Sequence, residues 1–123
     1  LNFIIIDEFK ARREGSLYFL SHWHSDHYDG ICNNWPYGPI FCSSITKRLL
    51  LTKFSKLKDT VIELQYGQEN IIEREIINFF GTKETVRLKV KIYDSNHMAG
   101  SIMILINDEE KFYLHTGDMR FNE

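Results

Sequence analysis

Short apolar runs recur along this chain, and their lengths and periods restrict the folds that it can adopt. The clearest is "VRLKVKIY", residues 86–93, in which apolar and polar side chains alternate with the period of a half-buried strand. Residues 44–51 have helical spacing, and Ser43 or Ser44 is a suitable N-cap. The other runs predicted as strands are residues 2–6, 17–20, 38–43, 60–64, 70–73, 101–106 and 111–116. Because strands and helices do not alternate regularly, we predict a strand-rich α+β protein with one or two helices, and a doubly wound parallel fold is disfavoured.

The size and composition of the chain set wide limits. At 123 residues we expect at most one domain, and a net charge of −2 argues neither for nor against a nucleic-acid partner. Cys32 and Cys42 lack the spacing of a metal or redox motif and are expected to be semi-buried thiols in a reducing compartment. The apolar runs are too short to span a membrane. Since the chain begins at Leu1, inside an apolar run, we expect it to be a piece of a longer protein.

Residues able to bind metal follow four of the predicted strands. Asp7 follows the first, the segment 22–27 follows "LYFL", His97 follows "VKIY", and Asp118 follows "FYLHT". Side chains at strand ends are positioned by rigid strands and freed by loops, as in many active sites. We therefore expect all four groups to converge at one edge of a β-structure.

The segment "SHWHSDH" is the densest of these groups. In an extended segment His22 and His24 project on the same side and could bind one metal ion. Asp26 and His27 follow on a turn and could face a second ion. Imidazole suits zinc, and carboxylates suit harder or bridging positions. Crowding these titratable groups without a partner would be costly, so a metal site is strongly favoured.

The remaining candidates lie far along the chain. His97 could be a third ligand of the first ion, and Asp118 could bridge two ions through its two oxygens. Asp26 or Asp118 could also orient an attacking hydroxide. Asp7 is expected to hydrogen-bond ligands from behind, although a cap at the end of its strand is an equal alternative. His115, inside the last predicted strand, is expected to be structural.

Five stretches together resemble a known family. "HWHSDH" has the HxHxDH signature of the metallo-β-lactamase fold. "FLSHWHSDHYDG", "IFCSSIT", "DSNHMAGSIMIL" and "LHTGDMRF" resemble the β-CASP nucleases that repair DNA interstrand cross-links, the branch that includes Artemis and Apollo. The resemblance extends over residues 7–121 and implies the N-terminal half of an αββα sandwich. Residues 1–123 would then be a partial metallo-β-lactamase domain, and the rest of that domain and the β-CASP domain are expected elsewhere.

The resemblance also implies the roles of individual residues. His22, His24 and His97 would hold one metal ion. Asp26 and His27 would hold or border a second, with Asp118 between the ions and Asp7 as the aspartate of the first motif. The implied activity is that of a zinc-dependent 5′-to-3′ exonuclease, with one or two ions, acting on single-stranded or 5′-ended DNA in the nucleus.

One departure from the family pattern affects the third motif. The family usually has Cys-Pro after its histidine, whereas this chain has Met98 and Ala99. Loss of proline would relax the loop that carries His97, although neither replacement excludes ligation. Two other functions stay open: a hydrolase of a small ester or thioester on the same fold, and a non-catalytic scaffold in a nucleic-acid-processing complex.

Overall fold

The first half of the chain forms a parallel sheet. In the computed structural model, which describes residues 3–96, 98–108 and 111–116, this sheet has the strand order β1-β2-β3-β4. Its strands are β1 (Ile4–Ile6), β2 (Leu17–Phe19), β3 (Ile40–Cys42) and β4 (Val61–Glu63). Every neighbouring pair runs parallel. The positions of the strands match the sequence prediction, which did not give their direction.

Two helices lie in the connections of this sheet. The single turn α1 (Ser25–Tyr28) follows β2, and α2 (Ser44–Lys53) joins β3 to β4 through a short 3₁₀ helix (Ser55–Leu57). Ser43 is the N-cap of α2, because its Oγ accepts a hydrogen bond from the Thr46 amide at 3.3 Å. Among the described residues no helix is both long and apolar enough to cross a membrane.

The second half forms an antiparallel sheet with the order β5-β6-β7-β8. Its strands are β5 (Asn70–Ile77), β6 (Lys83–Asp94), β7 (Ile102–Asn107) and β8 (Phe112–His115). β5 and β6 are longer than the sequence predicted, and they pair from Asn70 with Val90 to Ile77 with Lys83. The predicted hairpin of the last two strands is confirmed by their antiparallel pairing.

The parallel sheet is covered on both faces, which explains why its strands are apolar throughout. Phe19 and Phe41 stack at 5.1 Å and pack towards residues of the second sheet, including Val90 and Ile104. The alternate residues of the same strands, among them Tyr18, pack on the opposite face, in a cluster that includes residues of α2. The described residues therefore form three layers: helix and loops, parallel sheet, and antiparallel sheet.

The outer face of the antiparallel sheet is largely exposed in the described residues. Ile71, Tyr93, Phe112 and Leu114 all lie on it, and each is at least 43% exposed. The mixed, strand-rich class with few helices is confirmed. A second helical layer, which would complete an αββα sandwich, remains a prediction.

Candidate metal centre

The ends of β1 and β2 bring Asp7 and the histidine segment together. The two strands are parallel neighbours, so their carboxyl ends lie at the same edge of the sheet. The Asp7 amide donates to the Phe19 carbonyl at 2.9 Å. The Ser21 amide donates to Asp7 Oδ1 at 2.7 Å, and Ser21 Oγ donates to Asp7 Oδ2 at 2.5 Å. Asp7 has a left-handed backbone, φ 55°, a conformation that aspartate tolerates better than most residues.

Three histidines form a compact group beside this aspartate. One ligand atom from each of His22, His24 and His27 lies within 4.8 Å of the others, which is close enough for all three to bind one metal ion. His22 is fully buried, His24 is exposed, and His27 is intermediate. The centroids of the His22 and His27 rings are 4.1 Å apart. The group therefore runs from the core to the surface, as a site that binds both a metal and a substrate requires.

The hydrogen bonds of Ser21 determine the tautomer of His22. The Ser21 hydroxyl gives its one proton to Asp7, yet it also lies 3.0 Å from His22 Nδ1. A contact of that length is a hydrogen bond only if His22 Nδ1 is the donor. The neutral ring then carries its lone pair on Nε2, the nitrogen suited to metal. This chain of hydrogen bonds makes His22 a competent ligand.

Asp7 acts on His27 in the same way. His27 Nδ1 lies 3.1 Å from Asp7 Oδ2, and only 8% of the Asp7 side chain is exposed. Burial opposes ionisation of Asp7, but the neighbouring His115 ring, the hydrogen bonds from Ser21 and the neighbouring His27 ring hold its pKa below its ordinary value. An ionised carboxylate that accepts from Nδ1–H fixes the ring and leaves Nε2 for a metal.

The structure supports the other predicted ligands to different degrees. Asp26 is exposed on α1, with its carboxylate 3.7 Å from His24 Nδ1. His27 joins His22 and His24 in one group, so the predicted division of these residues between two ions remains a prediction. His97 and Asp118 lie outside the described residues. The donor set of three imidazoles beside carboxylates fits zinc.

Comparison with known proteins supports the predicted resemblance to DNA cross-link repair nucleases. No protein-family model matches the chain. The 5′ exonuclease Apollo of Danio rerio is 36% identical over 105 residues, which are 85% of this chain and 17% of that protein. The DNA cross-link repair protein SNM1 of Arabidopsis thaliana is 36% identical over 106 residues, 85% of this chain and 19% of that protein. The DNA cross-link repair 1A protein of Homo sapiens is 35% identical over 104 residues, 84% of this chain and 9% of that protein.

Over most of its length the chain is therefore similar to these proteins, which are β-CASP nucleases. It spans 19% or less of the length of these three family members. The similarity thus covers most of the chain but only part of each relative.

An aromatic stack borders the histidine group. The rings of Trp23 and Tyr28 are nearly parallel, with centroids 3.9 Å apart, and Lys53 Nζ lies 5.0 Å from the centre of the Tyr28 ring. The two rings therefore pack against each other beside the histidines. Lys53 connects this stack to the end of α2.

Sequence reasoning missed two neighbours of the centre, His115 and Ser21. His115 was expected to be structural, yet its Nε2 lies 3.5 Å from Asp7 Oδ2. It ends β8 directly before a polar cluster, and this position at a strand end was the signal available in the sequence. Ser21 was missed as well, because nothing in the pattern distinguishes it from an ordinary turn residue.

Proposed function

We propose that this chain is part of a metal-dependent phosphodiesterase that acts on DNA, as a 5′-to-3′ exonuclease in interstrand cross-link repair. The observation that carries the proposal is the gathering of His22, His24 and His27 within 4.8 Å at the edge of the parallel sheet. The names of the relatives, a 5′ exonuclease and DNA cross-link repair proteins, support the choice of substrate. Similarity to these relatives also supports residence in the nucleus.

The ligand set that we propose extends this group. His22, His24 and His97 hold the first zinc ion, and Asp26 and His27 hold or border a second, with Asp118 between them. When bound, zinc supplies a Lewis acid that stabilises the negative charge developing on phosphoryl oxygens. Measurement of the metal content determines whether one or both of the proposed zinc positions are filled.

The residues of the chain itself hold this centre in shape. Asp7 and Ser21 keep the Nδ1 protons of His22 and His27 engaged, which directs both Nε2 lone pairs to the metal side. We propose that Asp26 and Asp118 orient the water that attacks the phosphorus atom. The side chain of Asp26 is 82% exposed, so it can reach a substrate that approaches from solvent.

The names of the relatives favour DNA over a small ester or thioester as the substrate. A non-catalytic scaffold is disfavoured because the described part of the HxHxDH motif retains every ligand together with its supporting Asp7.

We also propose that residues 1–123 are part of a metallo-β-lactamase domain. The three layers of the described residues are compatible with the first part of an αββα sandwich, and the relatives are much longer than this chain. A β-CASP domain of the same protein would then contribute further residues to the site.

Metal content and nuclease activity test the proposal. The whole protein containing this chain is purified, and zinc is measured by mass spectrometry beside a His22→Ala/His24→Ala variant and an Asp29→Ala control. Asp29 is an exposed residue on the same loop, paired with Lys10 at 3.0 Å. We expect zinc and release of nucleotides from 5′-phosphorylated single-stranded DNA in the wild type and the control. Equal zinc and activity in the double histidine variant would contradict the proposal.

A further inference from the structure

The loop that carries His97 is held by two hydroxyl groups of α2. We propose that Ser43 and Thr46 are positioning residues, whose hydroxyls hold the Gly100 carbonyl and so place the 95–101 loop against the metal centre. The inference rests on the proposed function, because it takes His97 as a metal ligand. It assigns a role to the "CSSIT" junction beyond starting a helix.

Both hydroxyls reach the same carbonyl oxygen. Ser43 Oγ donates to the Gly100 carbonyl at 2.7 Å, and Thr46 Oγ1 donates to it at 3.3 Å. Ser43 and Thr46 are fully buried. Buried hydroxyls need partners, and a carbonyl has two lone pairs to accept both. The contact joins residues more than fifty positions apart in the chain.

A helix cap alone does not explain this arrangement. As N-cap of α2, Ser43 needs only to accept from the Thr46 amide. Capping uses neither the Ser43 proton nor the Thr46 hydroxyl. The two hydroxyls lie 3.1 Å apart, and both are within hydrogen-bonding distance of the Gly100 carbonyl on the loop.

The loop is shaped so that fixing Gly100 fixes its neighbours. The Ser95 amide donates to the Ser101 carbonyl at 3.0 Å, and the Ser95 and Ser101 hydroxyls lie 2.7 Å apart. The Ser101 amide donates to the Met98 carbonyl at 3.0 Å. These bonds close the loop at its base, so a tether at Gly100 restrains the whole segment.

Close approach at Gly100 requires glycine. Its φ is +82°, and an added Cβ would lie 2.9 Å from the Ile45 Cβ and 3.1 Å from Ser43 Oγ. The loop backbone therefore lies directly on the first turn of α2. A side chain at this position would push the loop away from the helix.

A second tether connects the loop to the histidine segment. The Ile102 amide donates to the Ser21 carbonyl at 2.9 Å, one residue before His22. The C-terminal side of the loop is thus held at Gly100 by residues of α2 and its N-cap, and at Ile102 by the segment that follows β2. Ala99 stands where the family pattern has a stiffening proline, so the hydrogen bonds to the Gly100 carbonyl are a restraint that this loop keeps without it.

Zinc affinity measured by competition with a chromogenic chelator tests the inference on the whole protein. Thr46→Val removes the hydroxyl but keeps the shape, and Thr46→Ser keeps the hydroxyl. Thr52→Val is the control for the same chemical change at an exposed position, because in the described residues the Thr52 hydroxyl bonds within α2, to the Arg48 carbonyl at 3.0 Å. We expect Thr46→Val to weaken zinc binding about tenfold, and more when combined with Ser43→Ala. Thr46→Ser and Thr52→Val should bind as the wild type does.

The same substitution in a His97→Ala background separates positioning from general stability. If the hydroxyls act through His97, Thr46→Val should cause no further loss there. Unchanged affinity in Thr46→Val, or an equal loss in both backgrounds, would overturn the inference while leaving the proposed function intact. If the wild type and the His22→Ala/His24→Ala variant bind zinc equally poorly, both the proposed function and this inference are contradicted.

Discussion

Asp7→Asn is the substitution that most directly tests the support behind the histidines. Asparagine keeps the size of the side chain and tolerates the left-handed backbone at this position, φ 55°. One oxygen can still accept from the Ser21 amide, which now bonds Oδ1 at 2.7 Å. The other oxygen becomes an NH₂ group that faces His27 Nδ1–H, so two donors oppose each other.

The expected magnitude follows from the bonds that are lost. The Ser21 hydroxyl can rotate and accept from the new amide, so the main loss is the charged hydrogen bond to His27, worth about 1.5–3 kcal/mol in stability. Removing the partner behind a metal ligand weakens metal binding by about 10- to 100-fold. That range corresponds to about 1.4–2.8 kcal/mol of binding free energy.

Chelator competition gives the zinc affinity, and thermal unfolding in excess chelator gives the stability of the metal-free protein. Asp29→Asn makes the same chemical change at a carboxylate that is 65% exposed, and it should alter neither quantity measurably. Zinc affinity in Asp7→Asn equal to that of the wild type would refute the idea that Asp7 prepares the histidines for metal.

Three further predictions concern the body of the fold. Gly30→Ala should destabilise the protein by more than 2 kcal/mol in denaturant unfolding, roughly the upper range for most substitutions, because its Cβ would lie 2.6 Å from the backbone of a neighbouring loop. Phe19→Ala should cost about 3–5 kcal/mol in the same measurement, because this fully buried ring fills the space between the sheets. In native protein at pH 8.5, iodoacetamide should modify Cys32 and spare Cys42, whose burial raises the pKa of its thiol to about 12, as peptide mass mapping would show.

Matched variants make these outcomes specific. Gly81 shares a positive φ, +79°, but an added Cβ would meet nothing within 4 Å, so Gly81→Ala should show only the backbone strain. Phe79 is 78% exposed, and Phe79→Ala should change stability by less than about 0.5 kcal/mol. Equal losses within either pair would contradict the packing argument, and rapid labelling of Cys42 would contradict its burial.

Local pattern was enough to place the strands, because each is a short apolar run bounded by turn residues. The parallel direction of β1 and β2 was not predictable in the same way. A parallel pair of strands is usually recognised in a sequence by a predicted helix between the two strands. Residues 7–16, between β1 and β2, form turns instead. The ends of β5 and β6 were missed because their outward positions carry charges, such as Glu75 and Lys83, which lower the apolar signal.

The histidine group was predictable because its ligands lie close together in sequence. The residues that support these ligands were not predictable. Ser21 and Thr46 are ordinary polar residues in sequence, and only the fold gives them their partners. His115 is separated from Asp7 by most of the chain and meets it because two sheets pack together.

The closeness of the histidine group in sequence has a consequence for how the protein is made. His22, His24 and His27 are adjacent on the chain, and the bonds that orient them reach back only to Asp7. Closing so short a loop costs little entropy, so pairing of β1 with β2 is enough to assemble this group. Since synthesis proceeds from the N-terminus, we expect the histidine group of the proposed metal site to be accessible to an ion before the antiparallel sheet has left the ribosome. Early capture would then stabilise the first sheet while the remaining strands fold onto it.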